Sequence, residues 1–293
     1  VEIYYGKRKM KSIVNRRVAI LLFLLHIIME ITYNIIIKKF NIKVPNYEII
    51  FLSFLFSTLM LIPFMVYQRK FKTKHSFLHI SRAILLFLGI IIKYFCLQYV
   101  QITTVTLIYF MSPIFFLILA CFFLHEDISW KRWLASFVNF IGIIIALNPN
   151  EISFHSASYL LIISSILFSV LHILNKKYIF RENTLNMLFY LFLYTTLFSA
   201  LPLLYIGWID ISTNEIIICI LLGIISNLIA FTLVKSFSLI NASFLSPLKY
   251  LALPISIILG YLIFDELPSK SLCIGSIIIL GNILFYINTL KKL

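Results

Sequence analysis

Ten apolar stretches, each long enough to cross a lipid bilayer, fill almost the whole chain. They lie at about 17–37, 47–67, 81–100, 103–124, 131–147, 157–176, 185–206, 215–235, 242–264 and 270–289. About 20 apolar residues at a helical rise of 1.5 Å span the ~30 Å hydrocarbon layer. A backbone in that layer has no water to bond, so such stretches form helices that satisfy their own polar groups. The fold class that follows is all-α integral membrane, with ten transmembrane helices. Hydrophobic residues make up 61% of the chain and the mean hydropathy is +1.02. The segments left between the stretches are too short for a soluble catalytic domain or a nucleic-acid module.

The formal charge of +14 would suggest nucleic acid in a soluble protein, but its distribution argues otherwise. With both ends placed in the cytoplasm, nineteen of the 25 Lys and Arg fall on the inner side, Arg69, Arg82, Lys176 and Lys292 among them. Only Lys38, Lys39, Lys43 and Lys270 fall outside, and Lys93 and Lys249 lie within apolar stretches. Excess basic residues on the cytoplasmic side are the established signature of membrane topology. The expected partners are therefore the bilayer and a small-molecule solute, not nucleic acid; the oligomeric state stays open. The first apolar run follows six basic residues, but it is too long for a signal peptide and lacks a small-residue cleavage site, so it reads as the first membrane helix. Cys96, Cys121, Cys219 and Cys273 are scattered through apolar segments without CxxC or Cys/His spacing. No metal site, disulfide framework or cofactor is expected.

Sliding the chain by about 140 residues lays spans one to five over spans six to ten. Pro113–Ile114 falls on Leu253–Pro254, and Glu126–Asp127 falls on Asp265–Glu266. Ser136 falls on Ser276 and Gly142 near Gly281. The expected organisation is a basic cytoplasmic N-terminus at 1–16, a first repeat at 17–147, an outer linker at 148–156, a second repeat at 157–289 and a cytoplasmic C-terminus at 290–293. An odd number of crossings per repeat makes the second copy enter the membrane in the opposite sense. Inverted repeats are typical of secondary transporters, which bind substrate between the halves and rock one against the other. Pro113 and Pro254 each delete a backbone donor, which either kinks a helix for packing or frees carbonyls to line a cavity.

Ionisable groups deep in a bilayer each need a partner or a wet cavity. Glu30 lies ~18 Å into the first span at helical rise, on an i, i+4 stripe of His26, Glu30, Asn34 and Lys38. Lys93 is about as deep in the third span, followed by Tyr94 and Gln98. Lys249 lies ~10 Å into the ninth span at helical rise, followed by Tyr250, with Ser246 and Ser256 on its face. Ser165, Ser169, His172 and Lys176 line the sixth span, Asn227 and Lys235 the eighth, and Tyr109 and Ser112 precede Pro113. The candidate substrate contacts are Glu30, Asn34, Lys93, Tyr94, Tyr109, His172, Asn227, Lys249 and Tyr250. Glu30 and Lys93 either pair structurally or meet the two ends of a dipolar solute. His26 and His172 suit helix–helix hydrogen bonding, and the acidic pairs at 126–127 and 265–266 suit capping of the helix that follows. No catalytic grouping, HExxH or P-loop occurs, so an enzyme is not indicated and ATP-driven pumping by this chain is not expected.

The chain resembles the drug/metabolite transporter superfamily, in particular its ten-helix members built from two EamA-type repeats. The resemblance covers nearly the whole chain and is carried by 103–147 and by KSFSLINASFLSPLKYLALPISIILGYLIFDEL at 235–267. Within that superfamily it is most similar to the S-adenosylmethionine uptake group, through HISRAILLFLG (79–89), SWKRWLASFVNFIG (129–142), ILNKKYIFRENTLNMLFY (173–190) and SPLKYL (246–251). The resemblance implies a secondary transporter of the cell inner membrane that takes up S-adenosylmethionine by alternating access, with S-adenosylhomocysteine as a counter-substrate. The alternative it leaves open is an amino-acid or other small-metabolite exporter. It implies that Glu30 occupies the group's first-helix acidic position and that Lys249–Tyr250 match its basic–aromatic pair. The methionine-like end of such a substrate offers a carboxylate to Lys249 or Lys93. The chain departs from the group's pattern at Ser53, where a basic residue is usual, at Ala252, where an acid is expected, and at Lys93, where an aromatic is expected.

Overall fold

The computed structural model describes residues 2–39, 46–69, 71–96, 99–100, 102–148, 156–208 and 211–291. Most of the linker at 148–156, and Lys43, Lys70, Gln98 and Lys292, lie outside the described residues. The helices in chain order are α1 (Glu2–Lys39), α2 (Asn46–Gln68), α3 (Ser76–Cys96), α4 (Ile102–Tyr109), α5 (Ser112–Leu124), α6 (Trp130–Ala146) and α7 (Ala157–Tyr178). They continue with α8 (Thr184–Ile206), α9 (Thr213–Leu239), α10 (Ala242–Leu245), a 3₁₀ stretch (Ser246–Leu251), α11 (Ala252–Phe264) and α12 (Lys270–Lys291). Nine stretches among the described residues are long and apolar enough to cross a membrane, counting α4–α5 and α10–α11 as one each. The tenth, α6, has 17 residues, the lower end of the spanning range.

Two of the spans are discontinuous. The fourth breaks at Phe110–Met111, and Pro113 sits in the first turn of α5, where its missing N–H costs nothing. The ninth changes to 3₁₀ geometry over Ser246–Leu251, with Pro247 in its first turn and Pro254 in the first turn of α11. The prolines therefore begin a second half-helix instead of kinking one continuous helix. Both second halves end at a left-handed residue, His125 (φ 50) and Asp265 (φ 54), 140 positions apart. The third helix begins at Ser76, earlier than the apolar run suggests; Ser76 and Phe77 are exposed, while His79 and Arg82 are buried by partners described below.

The chain forms two compact units, Val1–Ile84 with Leu174–Ala242 and Leu85–Ile173 with Ser243–Leu293, each drawing helices from both halves of the sequence. In the first unit, α1 packs on α9, and α2 packs on α8 and α9. Lipid supplies no hydrophobic drive between helices, so close packing and hydrogen bonds hold them. Gly223 lets α9 approach α2 so closely that an added Cβ would lie 3.0 Å from Phe56 and 3.1 Å from the Ser53 carbonyl. The Ser57 hydroxyl donates to Ser53 and Gly223 carbonyls there. A long basic side chain has no room at position 53, which is fully buried.

In the second unit, α6 packs on α12. A methyl at Gly275 would overlap the Gly142 carbonyl and Ala146. Asn282 Nδ2 donates to the Ala135 carbonyl and to Asn139 Oδ1, both at 2.8 Å, and Asn139 Nδ2 donates to the Pro247 carbonyl at 3.1 Å. The two breaks are joined directly: the Ser246 hydroxyl donates to the Pro113 carbonyl at 2.8 Å, and the rings of Phe110 and Tyr250 stack at 5.9 Å and 15°. Those two rings also stand 140 positions apart.

Candidate functional site

Six of the nine sequence candidates belong to the second unit. Lys93, near the end of α3, is half-buried and holds its Nζ 5.2 Å from the centre of the Tyr109 ring, a cation–π contact. Tyr109 is the last residue of α4, at the break that Pro113 imposes. Its hydroxyl bonds Ser164 Oγ of α7, and Ser164 donates in turn to the Gly89 carbonyl at 2.7 Å, so Tyr109 is the donor of the first bond. Phe168 packs on the same ring at 5.9 Å. Tyr94 is half-buried beside Lys93. His172, also half-buried, meets Phe116 edge-on at 6.4 Å. Lys249 is half-buried on the 3₁₀ stretch, whereas Tyr250 is fully buried, and its hydroxyl has no hydrogen-bond partner among the described residues. The α7 stripe continues with Ser169, whose hydroxyl donates to the Ser165 carbonyl at 2.9 Å and the Ser112 carbonyl at 3.2 Å.

Glu30, Asn34 and Asn227 belong to the first unit. The Glu30 carboxylate lies 3.9 Å from His26 Nε2 and is 43% exposed. His26 Nδ1 lies 3.1 Å from the Ile229 carbonyl. A carbonyl only accepts, so Nδ1 carries a proton and Nε2 is the nitrogen presented to Glu30. Asn34 is exposed one turn further along α1. Asn227 Nδ2 donates to the Ser57 carbonyl at 3.1 Å and the Gly223 carbonyl at 3.3 Å, which engages its amide in the α2–α9 contact. The His26–Ile229 bond has a counterpart in the other unit: Gly89 lies 140 positions before Ile229, and its carbonyl receives Ser164 of α7.

A further polar cluster surrounds Arg82, which the charge pattern places among the inner surface charges but which is fully buried. Its Nε donates to Asn175 Oδ1 at 2.7 Å and its Nη1 to the Met187 carbonyl at 3.0 Å, with His79 Nδ1 at 3.2 Å. His79 stacks on Tyr190 at 5.0 Å and lies 3.8 Å from Glu182, which also accepts from Thr73. The one available signal was His79 and Arg82 at i, i+3, sharing a face. Of the acidic pairs, Glu126 reaches beyond the helix that follows it. Glu126 accepts the Ser243 backbone N–H at 3.1 Å and its hydroxyl, so it braces α10, far along the chain, and not simply the helix that follows. Arg132 Nη1 donates to the same Ser243 hydroxyl at 2.7 Å. Among the described residues no group of His, Cys, Asp and Glu is arranged to hold a metal.

Broken spans bearing polar side chains, repeated after 140 residues, are the architecture of carriers, and comparison with known proteins agrees. The EamA-like transporter family matches residues 17–148 and again 155–288. The chain belongs to the EamA-like transporter family. It is 38% identical over 272 residues to the S-adenosylmethionine uptake transporter of Rickettsia conorii, covering 92% of each chain, with the same figures for that of Rickettsia prowazekii. It is 27% identical over 251 residues to the riboflavin transporter of Brucella anthropi, covering 83% of this chain and 88% of that one. A crystal structure 17% identical in sequence superposes with a TM-score of 0.79 over 91% of this chain and 95% of that chain, which shows the same fold. As an EamA-like transporter the chain is a multi-pass membrane protein that carries a small molecule.

Proposed function

We propose that this EamA-like transporter takes up S-adenosylmethionine across the cell inner membrane by alternating access, with both termini in the cytoplasm. The observation that carries the reading is the 38% identity over 92% of both chains to uptake transporters of that name. The residue chemistry suits the substrate. It has an α-carboxylate, for which Lys249 offers an ammonium, and an α-ammonium, for which Glu30 offers a carboxylate during passage. It also has an adenine and a sulfonium, for which Tyr94 and Tyr109 offer ring faces, while the buried Tyr250, stacked on Phe110, supports the turn that carries Lys249. Asn34, His172 and Asn227 are the remaining polar groups we assign to the substrate's path.

The test is uptake of labelled S-adenosylmethionine into liposomes holding the purified protein, with unlabelled S-adenosylhomocysteine, methionine and riboflavin as competitors. Uptake above protein-free vesicles, competed by the adenosyl compounds alone, supports the proposal. No uptake by protein shown to be folded and inserted refutes it, and competition by riboflavin or methionine alone reassigns the substrate. Preloading the vesicles with S-adenosylhomocysteine accelerates uptake if the carrier exchanges the two.

A further inference from the structure

We propose that the Tyr109 ring face receives a positively charged centre of the substrate, and that Lys93 is its internal stand-in, displaced on binding. The proposal rests on the S-adenosylmethionine reading. The ammonium of Lys93 lies 5.2 Å over the ring, the place a permanent cation would take. The ring is oriented without help from Lys93. Its hydroxyl is fixed by Ser164, which is itself anchored on the Gly89 carbonyl, and its flank is set by Phe168. The face therefore persists when the ammonium leaves. Both side chains are half-buried; Tyr109 packs on the apolar cluster around Cys96 and Ile108, which holds the ring, while the flexible four-carbon stem of lysine lets the ammonium withdraw.

This arrangement reads the charge on sulfur. A sulfonium competes with the Lys93 ammonium for the ring; the thioether left after methyl transfer does not. With the sulfonium bound, Lys93 is excluded; with the thioether present, the ammonium returns and the neutral compound gains nothing from the ring. Lys93 thus lowers absolute affinity for the sulfonium while filling a face that would otherwise accept other cations.

The experiment measures half-maximal concentrations for S-adenosylmethionine uptake, and for its inhibition by S-adenosylhomocysteine, in reconstituted wild type, Lys93→Met, Tyr109→Leu and the double variant. Lys93→Met is expected to lower the half-maximal sulfonium concentration by about twofold to thirtyfold, the range between exposed and desolvated cation–π contacts. Inhibition by the thioether is expected to stay unchanged. The gain should vanish in the Tyr109→Leu background and persist in Tyr109→Phe, which keeps the ring. No change, equal weakening toward both compounds, or a gain that survives Tyr109→Leu overturns the proposal, the last because charge repulsion alone would explain it. If Lys93→Met fails to fold, Lys93→Gln is read in the same way. Absence of uptake by wild type refutes the substrate assignment instead. The same variants are then compared by thermal shift with trimethylsulfonium: a larger shift in Lys93→Met that Tyr109→Leu abolishes upholds the face, and equal shifts overturn it.

Discussion

Three glycines on α6 and α12 give a graded test of the helix contact in the second unit. A methyl at Gly275 overlaps the Gly142 carbonyl and Ala146, both backbone-anchored, so the two helices must separate to admit it. A methyl at Gly142 meets Ile279 Cγ1 at 2.9 Å and the Gly275 carbonyl at 3.1 Å, and the isoleucine can partly yield. A methyl at Gly281, on the same helix as Gly275, meets nothing within 4 Å. Replacing glycine by alanine in a helix interior gains about 0.5–1 kcal/mol, whereas overpacking costs about 1–3 kcal/mol. Gly281→Ala should therefore stabilise by about 0.5–1 kcal/mol. Gly275→Ala should lose about 1–2 kcal/mol net, and more if the Asn282–Asn139 bonds open as the helices part. Gly142→Ala should fall between. Thermal unfolding in one detergent, followed by circular dichroism, ranks the three. Equal melting temperatures for Gly275→Ala and Gly281→Ala would show that the helices do not approach as closely as described.

Other outcomes follow from single contacts. Glu30→Gln should cut uptake at least about tenfold, the size of a lost charge contact, while Asp127→Asn, at an exposed position, leaves it unchanged at equal expression; equal effects would remove Glu30 from the transport path. Arg82→Leu strands the Asn175 and Met187 acceptors and should destabilise by about 3–5 kcal/mol, with little rescue by Arg82→Lys, which lacks the planar fork; a melting temperature near wild type would mean the cluster is hydrated. Lys176 Nζ donates to the Phe237 and Ile240 carbonyls, both at 2.7 Å, and so caps the end of α9. Lys176→Met should speed amide exchange over 235–240 and cost about 1–2 kcal/mol, and unchanged exchange would rule out the cap.

Hydropathy made the membrane helices legible because ten spans of apolar sequence admit few alternatives. Pro113 marked the first break for the same reason: a missing donor is a local fact. The 3₁₀ stretch at Ser246–Leu251 was less legible, since Pro254 drew attention past Pro247 and the geometry depends on Asn139 holding the Pro247 carbonyl. Arg82 shows the limit most clearly. A charged residue at the edge of an apolar run reads as surface, and its partners Asn175 and Met187 lie about a hundred positions away. At the candidate site, His26 and Glu30 share a face at i, i+4 and were legible as neighbours. The Lys93–Tyr109 contact was not, because it spans a turn outside any helical period and depends on Ser164 from a third helix.

The stacked pair Phe110 and Tyr250 joins a residue to its own duplicate. A surface that meets its copy is constrained from both sides, so each position must keep a flat ring even where the residues differ, as Phe110 and Tyr250 do. Loss of either aromatic leaves its twin facing a void. In a duplicated carrier these two sites should change together across the lineage even where the rest of each repeat diverges.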